Sequence, residues 1–261
     1  MKRIFRWTIR TTLKLISRII PRYPEILASE LRHLEGKGTG SGSTRLEAKT
    51  ALDFLIVKGI RKPTILDIGA NIGLYSEAVL DLNPDVRIVA FEPSSTALKE
   101  LYKRFSDDIR VSIIPLALGS VSAFQPLWSD EAGSVLASLS KRKLDHFGID
   151  FDYSEQVEVT TLDTWNITAQ VKPDLIKMDV EGYELEILKG ASETLKLARV
   201  VQFEFGGCNI DTRTFFQDFW YLLSEAGFSF YRIAPSGAIS VPKYSEEDEY
   251  FRTTNYLAVR E

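Results

Sequence analysis

The period of the apolar positions changes several times along the chain, and each change predicts an element. In residues 1–20, MKRIFRWTIRTTLKLISRII, Arg6, Arg10, Lys14 and Arg18 recur every four residues, with Ile4, Phe5, Trp7, Leu13, Leu15, Ile16, Ile19 and Ile20 among them. On a helix this makes one slowly winding basic stripe beside apolar positions, and Pro21 and Pro24 end it. GKGTGSGS at 36–43 has glycine at every second position and reads as a flexible linker or lid. Thr44 and Glu47 form a capping-box pattern ahead of Leu46, Ala51, Leu52, Leu55 and Ile56, which predicts the helix that opens the main domain. The chain thus divides into an N-terminal segment, 1–43, and a domain, 44–261.

From Thr64 onward, short apolar runs alternate with helical periodicity. Strands are expected at 64–68, 86–91 and 109–114. Between them lie helices at 74–82 and after Ser94 or Ser95, the latter with Ala97, Leu98, Leu101, Tyr102 and Phe105 on its apolar face. Three extended stretches, 123–128, 135–139 and 156–161, lack strong helices between them and suggest an antiparallel insertion. Alternation returns with a strand at 174–178, a helix ending near Gly190 and a strand at 200–205. Asp211 is placed to cap a helix running to Ala226 and stopped by Gly227. Runs at 228–233 and 255–259 with no helix between them predict an antiparallel hairpin at one sheet edge. The class is α/β: a Rossmann-like, mostly parallel sheet with helices on both faces, a terminal hairpin and an N-terminal helical extension.

Charge refines this picture. Residues 1–24 hold seven Lys or Arg and no acid, so the rest of the chain carries 25 basic against 36 acidic residues. An acidic body argues against a nucleic-acid-binding face. The basic segment suits a helix lying on an anionic membrane surface, or one packed against protein. Its charges interrupt any signal-peptide core, so the expected location is cytoplasmic, with peripheral contact at the inner membrane surface. A single cysteine, Cys208, and two histidines, His33 and His146, exclude a disulfide framework and a Cys- or His-rich metal centre.

Three motifs carry chemistry. In ILDIGANIG at 65–73 a buried strand runs into Gly69, Asn71 and Gly73 and then a helix, so backbone amides face a ligand at the strand's carboxyl end. Glu92, in AFEP at 90–93, ends the next strand, where an acid accepts hydrogen bonds from ribose hydroxyls. The third glycine of a dinucleotide fingerprint is missing, because Leu74 follows Gly73. Asp67, just before the loop, suits a ligand with a sulfonium and an amino group. In LIKMDVEGYELEILKG at 175–190, Asp179 falls at a strand tip with Lys177 two residues back on the same face, and Glu181 follows at the turn. Glu204, in QFEF, is expected at a comparable height. These three carboxylates either take a proton from an acceptor, hold Mg2+, or cap the helix and pair with Lys177. His146, Cys208 and the polar stretch 137–142 are secondary candidates.

Together, LDIGANIG, AFEP, the TLDT stretch at 161–164, KMDVEGYELEILKG and QFEF resemble the FkbM-type methyltransferases, over about residues 44–260. The resemblance implies a seven-stranded sheet with its last strand antiparallel, and S-adenosylmethionine (SAM) as cofactor. It also implies methyl transfer to hydroxyls, often of sugars, so the expected acceptor is a glycan or small molecule. Asp67, Gly69, Asn71, Gly73 and Glu92 match the cofactor motif, and Asp179 and Glu181 the D-x-E-G motif of the catalytic half.

Overall fold

The computed structural model describes residues 2–38 and 42–260, with side chains at 9–14, 16–38 and 42–260. Helices α1 (Lys2–Ile19) and α2 (Tyr23–Leu34) form the N-terminal extension. Pro24 does more than end the first helix: it lies in the first turn of the second, where its missing N–H costs nothing. The glycine stretch 36–43 lies partly outside the described residues. Helix α3 (Thr44–Val57) is capped one residue earlier than the sequence pattern suggests, by the Ser43 side chain accepting from the Leu46 amide at 3.1 Å. Among the described residues no helix is long and apolar enough to cross a membrane.

The domain follows as β1 (Thr64–Ile68), α4 (Leu74–Leu82), β2 (Arg87–Phe91), α5 (Ser95–Phe105) and β3 (Val111–Ile114). An insertion contributes β4 (Ala117–Leu118), β5 (Ala123–Ser129) and β6 (Tyr153–Thr160). Next come α6 (Leu162–Ala169), β7 (Leu175–Met178), α7 (Glu184–Lys189), α8 (Ser192–Leu195) and β8 (Val200–Phe205). The chain closes with α9 (Cys208–Thr212), α10 (Phe216–Glu225), β9 (Phe228–Ala234), β10 (Gly237–Val241) and β11 (Thr254–Arg260).

The main sheet has eight strands in the order β10-β9-β11-β8-β7-β1-β2-β3. Seven of them make the expected mostly parallel arrangement, with β11 inserted antiparallel between β8 and β9. The eighth, β10, was not anticipated. It is the strand that forms the tight hairpin with β9, across Pro235 and Ser236, while β11 returns from a distance to pair on β9's other side.

Alternate side chains of the strands feed two cores. One face packs Leu66, Ile68, Ile176, Met178 and Phe203 against α10 residues such as Phe216 and Phe219, with the Phe203 and Phe219 rings stacked at 4.7 Å. The other packs Ile65, Ile88, Leu175 and Val200 under α3, α4 and α5. The insertion forms a separate three-stranded sheet, β4-β6-β5, with β5 and β6 antiparallel as expected. Its third expected strand, 135–139, is instead a turn held by serines: Ser134 Oγ accepts from the Leu136 amide, and only a single bridge joins Ser138 to Trp128. The helix expected from Asp211 is broken in two at Arg213, which adopts a left-handed conformation. Asp211 therefore caps nothing. Asp218 does so for α10, accepting from the Phe215 amide at 2.8 Å.

Candidate active site

The carboxyl ends of β1, β2, β7 and β8 open into a cleft of about 310 Å³, closed on one side by the insertion and on another by the start of α3. That volume is at the lower end for small-molecule sites. Its polar character follows from strand periodicity. On the face carrying Ile65, Leu175 and Val200, the next side chains along are Asp67, Lys177 and Gln202, which sit side by side across three paired strands. Two residues further, Gly69, Asp179 and Glu204 reach the cleft.

The buried polar row is held by ion pairs and hydrogen bonds. Lys177 Nζ lies 2.9 Å from Asp67 Oδ1 and 3.9 Å from Asp179 Oδ2, and donates to the Gly69 carbonyl at 3.2 Å. Ser76 Oγ donates to Asp67 Oδ2, and Tyr75 Oη donates to Gln202 Oε1, each at 2.7 Å. Burial opposes the charge on Lys177, but Asp67 and Asp179 more than offset it, and its pKa rises. Asp67 is fully buried and lies behind the cleft wall, paired with Lys177 rather than lining the cleft.

Of the remaining expected cofactor residues, Gly69, Asn71 and Glu92 line one wall of the cleft, whereas Gly73 does not reach it. Gly69 has φ +75°, and a β-carbon there would overlap the carbonyl oxygen of Asp179, so only glycine lets β1 turn this close to the β7 tip. Gly73 caps α4 from behind, its back against Phe105 and Leu101. Asn71, at φ +48°, accepts from the Ile72 amide through its own side chain. Glu92 is 5% exposed and accepts from the Asn71 and Ser94 amides, both at 2.8 Å. Burial raises its pKa to about 7 in spite of those two bonds. Glu92 thus fixes the glycine loop and still presents its carboxyl group to the cleft.

The opposite wall is acidic. Asp179 is half-exposed. Glu181 sits at φ +55°, receives Arg142 Nη1 at 2.5 Å, and has its pKa pushed to about 7 by burial and by Asp179. Glu204 has no charged partner among the described residues. Burial, with Asp179 and Glu181 nearby, raises it well above the ordinary carboxylate range. The structure therefore brings Asp179, Glu181 and Glu204 to one cleft with Gly69, Asn71 and Glu92. Among the described residues no group of three or more His, Cys, Asp or Glu side chains is placed to hold a metal ion.

Other residues brace the acidic wall: Glu184 carries no signal of that role in the sequence, whereas Ser138 and Arg142 belong to the polar stretch 137–142. Glu184 is fully buried and accepts from the Val180 and Gly182 amides, bracing the turn that carries Glu181. Burial lifts its pKa to about 7. Ser138 Oγ donates to the Glu181 carbonyl at 2.9 Å. Arg142 bridges Glu181 and Asp211, and so joins the insertion to α9. Of the polar stretch 137–142, Ala137, Ser138 and Leu139 line the cleft. His146 lies in an exposed turn with its ring against Phe147, away from the cleft. His33 belongs to α2. Cys208 is 3% exposed, and burial pushes its thiol pKa upward, which removes it as a nucleophile.

The chain is similar in sequence to known methyltransferases. The chain is 29% identical over 153 residues to the 2-O-methyltransferase NoeI of Sinorhizobium fredii, covering 55% of this chain and 63% of that protein. It is 30% identical over 182 residues to the hexuronic acid methyltransferase AglP of Haloferax volcanii, covering 67% of each. The matched region is thus no more than about two thirds of either relative's length. Among solved structures, the magnesium protoporphyrin IX methyltransferase ChlM of Synechocystis aligns over 94% of this chain and 96% of its own, at 12% identity and a TM-score of 0.45. At that distance the strand order of the chain itself describes the fold better than the likeness does. The methyltransferase FkbM domain matches residues 67–230, from the buried Asp67 through both walls of the cleft to β9, and the chain belongs to that family.

Proposed function

We propose that the chain is a SAM-dependent O-methyltransferase that methylates a hydroxyl group of a carbohydrate. The observation that carries this reading is the pairing of two walls across one cleft, the loop and ribose-type acid Glu92 on one side and Asp179, Glu181 and Glu204 on the other. The residues suit the cofactor. The Gly69–Asn71 backbone and Glu92 would hold its nucleoside part. The acidic rim complements its sulfonium and ammonium charges, and Gly69 keeps the backbone low enough to admit it. The 2-O position named for NoeI and the hexuronic acid named for AglP support a carbohydrate hydroxyl here as well.

Bound SAM supplies an activated methyl on a sulfonium, whose leaving group is a neutral thioether. The protein's task is then alignment and proton removal. Asp179 is the most open of the three carboxylates and stands at the strand tip, so it orients the acceptor hydroxyl and takes its proton as the new O–C bond forms. Lys177 holds Asp179 from below and ties it to the Gly69 carbonyl, coupling the two walls. Glu204, whose burial favours the protonated form, faces the acceptor side of the cleft as a hydrogen-bonding group. Glu181, clamped by Arg142 and Ser138, shapes the acceptor side and stands second to Asp179 as the base.

The test is methyl-labelled SAM incubated with the protein and a panel of mono- and oligosaccharides, with non-sugar phenols and alcohols as the comparison. Label in an ether on a sugar oxygen is the expected outcome. Transfer to non-sugar hydroxyls alone would move the acceptor class, and SAM binding without any transfer would leave a cofactor-binding protein.

A further inference from the structure

The N-terminal helices take no part in the cleft, yet their surface is unusual. In α1, Arg10, Lys14 and Arg18 follow one another at four-residue spacing and are all exposed. Ile9, Leu13 and Ile16, at i, i+4 and i+7, occupy the opposite side of the same helix. Ile9 is 43% and Ile19 is 79% exposed while Leu13 and Ile16 are partly covered, so much of this apolar side stays open to solvent. Helix α2 continues the pattern. None of its residues is buried, and Ile26, Leu31 and Leu34 are each more than half exposed. A helix pair that packed on its own domain would bury these side chains, since removing apolar surface from water is favourable.

The pair is nevertheless anchored. The Glu35 carbonyl accepts from Arg232 Nε at 2.5 Å, Arg32 lies 5.3 Å over the Tyr250 ring, and Lys37 reaches Asp248 at 3.5 Å. The Gly38 amide donates to the Thr253 carbonyl. These anchors sit at the end of β9 and the start of β11. Because Thr254 pairs with Phe205, that is the rim where β8 ends and the cleft opens. Thr44 and Glu47, a few residues on, line the cleft itself.

We propose that α1 and α2 dock the enzyme on an anionic lipid bilayer, the apolar side inserting among acyl chains and Arg10, Lys14, Arg18 and Arg22 meeting lipid phosphates. Charge decides the occupant. The first 24 residues carry seven positive charges and no negative one, while the rest of the chain is strongly acidic. A second copy of this chain would bring the same positive stripe against its own, whereas an anionic bilayer offers both an apolar phase and opposite charge. The helices lie parallel to the surface, since neither is long and apolar enough to cross it. Docked from this rim, the cleft opens beside the membrane, where an acceptor carried on a lipid would be presented.

The experiment is flotation of the full chain with vesicles of phosphatidylcholine containing about 30% phosphatidylglycerol, against vesicles of phosphatidylcholine alone. Binding is expected only to the anionic vesicles, falling as salt is raised. The triple variant Arg10→Glu, Lys14→Glu, Arg18→Glu should lose roughly 100-fold or more in vesicle affinity, at about one unit of binding energy per basic residue. Its thermal midpoint and SAM affinity should stay at the wild-type values, which separates this proposal from the assignment of the cleft. The single variant Ile19→Asp should also weaken binding, through the apolar side alone. Absence of binding to anionic vesicles at low salt overturns the proposal. So does binding that the triple variant leaves unchanged. A dimer in solution that the triple variant or Ile19→Asp dissociates, with no vesicle binding, would assign the surface to a second copy and overturn it equally.

Discussion

The two walls of the cleft are built on different principles. The Gly69–Glu92 wall comes from one contiguous β-α-β unit, and its acid is held by two backbone amides of the loop it serves. The Asp179–Glu204 wall is assembled from β7, β8, α9 and an insertion that enters the chain far upstream. Asp179 lies 3.9 Å from Lys177 of its own strand, Arg142 of the insertion pairs with the Glu181 carboxylate while Ser138 holds the Glu181 carbonyl, and Glu204 has no charged partner among the described residues. Backbone amides give the first wall a fixed geometry. The second wall concentrates negative charge in a half-buried space, so its acids are pushed toward neutrality and respond to one another. A cofactor that never changes needs the first kind of wall, and an acceptor that must lose a proton needs the second.

The largest expected effect separates chemistry from cofactor binding. Asp179→Asn should keep the fold and hold SAM affinity within about threefold, while turnover falls by roughly 100-fold or more, the usual scale for a general base. Wild-type turnover in this variant, measured with saturating SAM and acceptor, would move proton removal to Glu181 and weaken the division between the walls.

The converse variant comes next. Glu92→Ala should weaken SAM binding by about 1.5–3 kcal/mol, because two amides lose their acceptor and the ribose loses its partner. Calorimetry reads it directly. Turnover at saturating SAM should change much less than affinity. A variant that binds SAM normally but turns over slowly would erase the contrast with Asp179.

The smallest effect tests pH sensitivity of the acidic wall. Glu184 has its folded pKa raised from 4.5 to about 7, mainly by burial. A carboxyl group raised in the folded state contributes stability that is present below its unfolded value and is lost as pH rises through its folded value. The protein should therefore lose stability between about pH 4.5 and 7, with Glu181 and Glu92 acting in the same direction. Glu184→Gln keeps an acceptor for the Val180 and Gly182 amides and removes the charge. It should flatten that slope and raise stability above pH 7 by about 1 kcal/mol. Thermal unfolding across pH that leaves the wild-type slope intact in the variant would show that Glu184 stays ionised and solvated.

What could be read in advance follows the same division. The strands carrying Asp67, Glu92, Asp179 and Glu204 are short, apolar and buried on both faces, so composition alone marks them, and a strand's period of two places its last acid at the tip. The β1 loop was readable because close approach to Asp179 admits only glycine at 69. By contrast, β10 is a weakly apolar edge strand whose burial alternates with exposure, and nothing local separates it from a loop. Residues 135–139 have the composition of a strand, but the Ser134 and Ser138 side chains satisfy backbone amides locally and favour a turn. Asp211 has the residue type of a helix cap, but its carboxylate is drawn to Arg142 instead.

The sequence by itself determined the alternating fold, the glycine loop and the height at which each carboxylate would emerge, because these depend on neighbours a few residues apart. Only the tertiary structure decided that Asp67 lies behind the cleft with Lys177, that Arg142 and Ser138 clamp Glu181, and that Glu184 braces the turn. It also decided that the N-terminal helices keep their apolar sides uncovered while anchored at the cleft rim. The reason is physical. A buried charge is tolerated only beside a partner, and here, apart from the local brace at Glu184, the partners come from segments distant along the chain that meet only once the sheet and its insertion have packed.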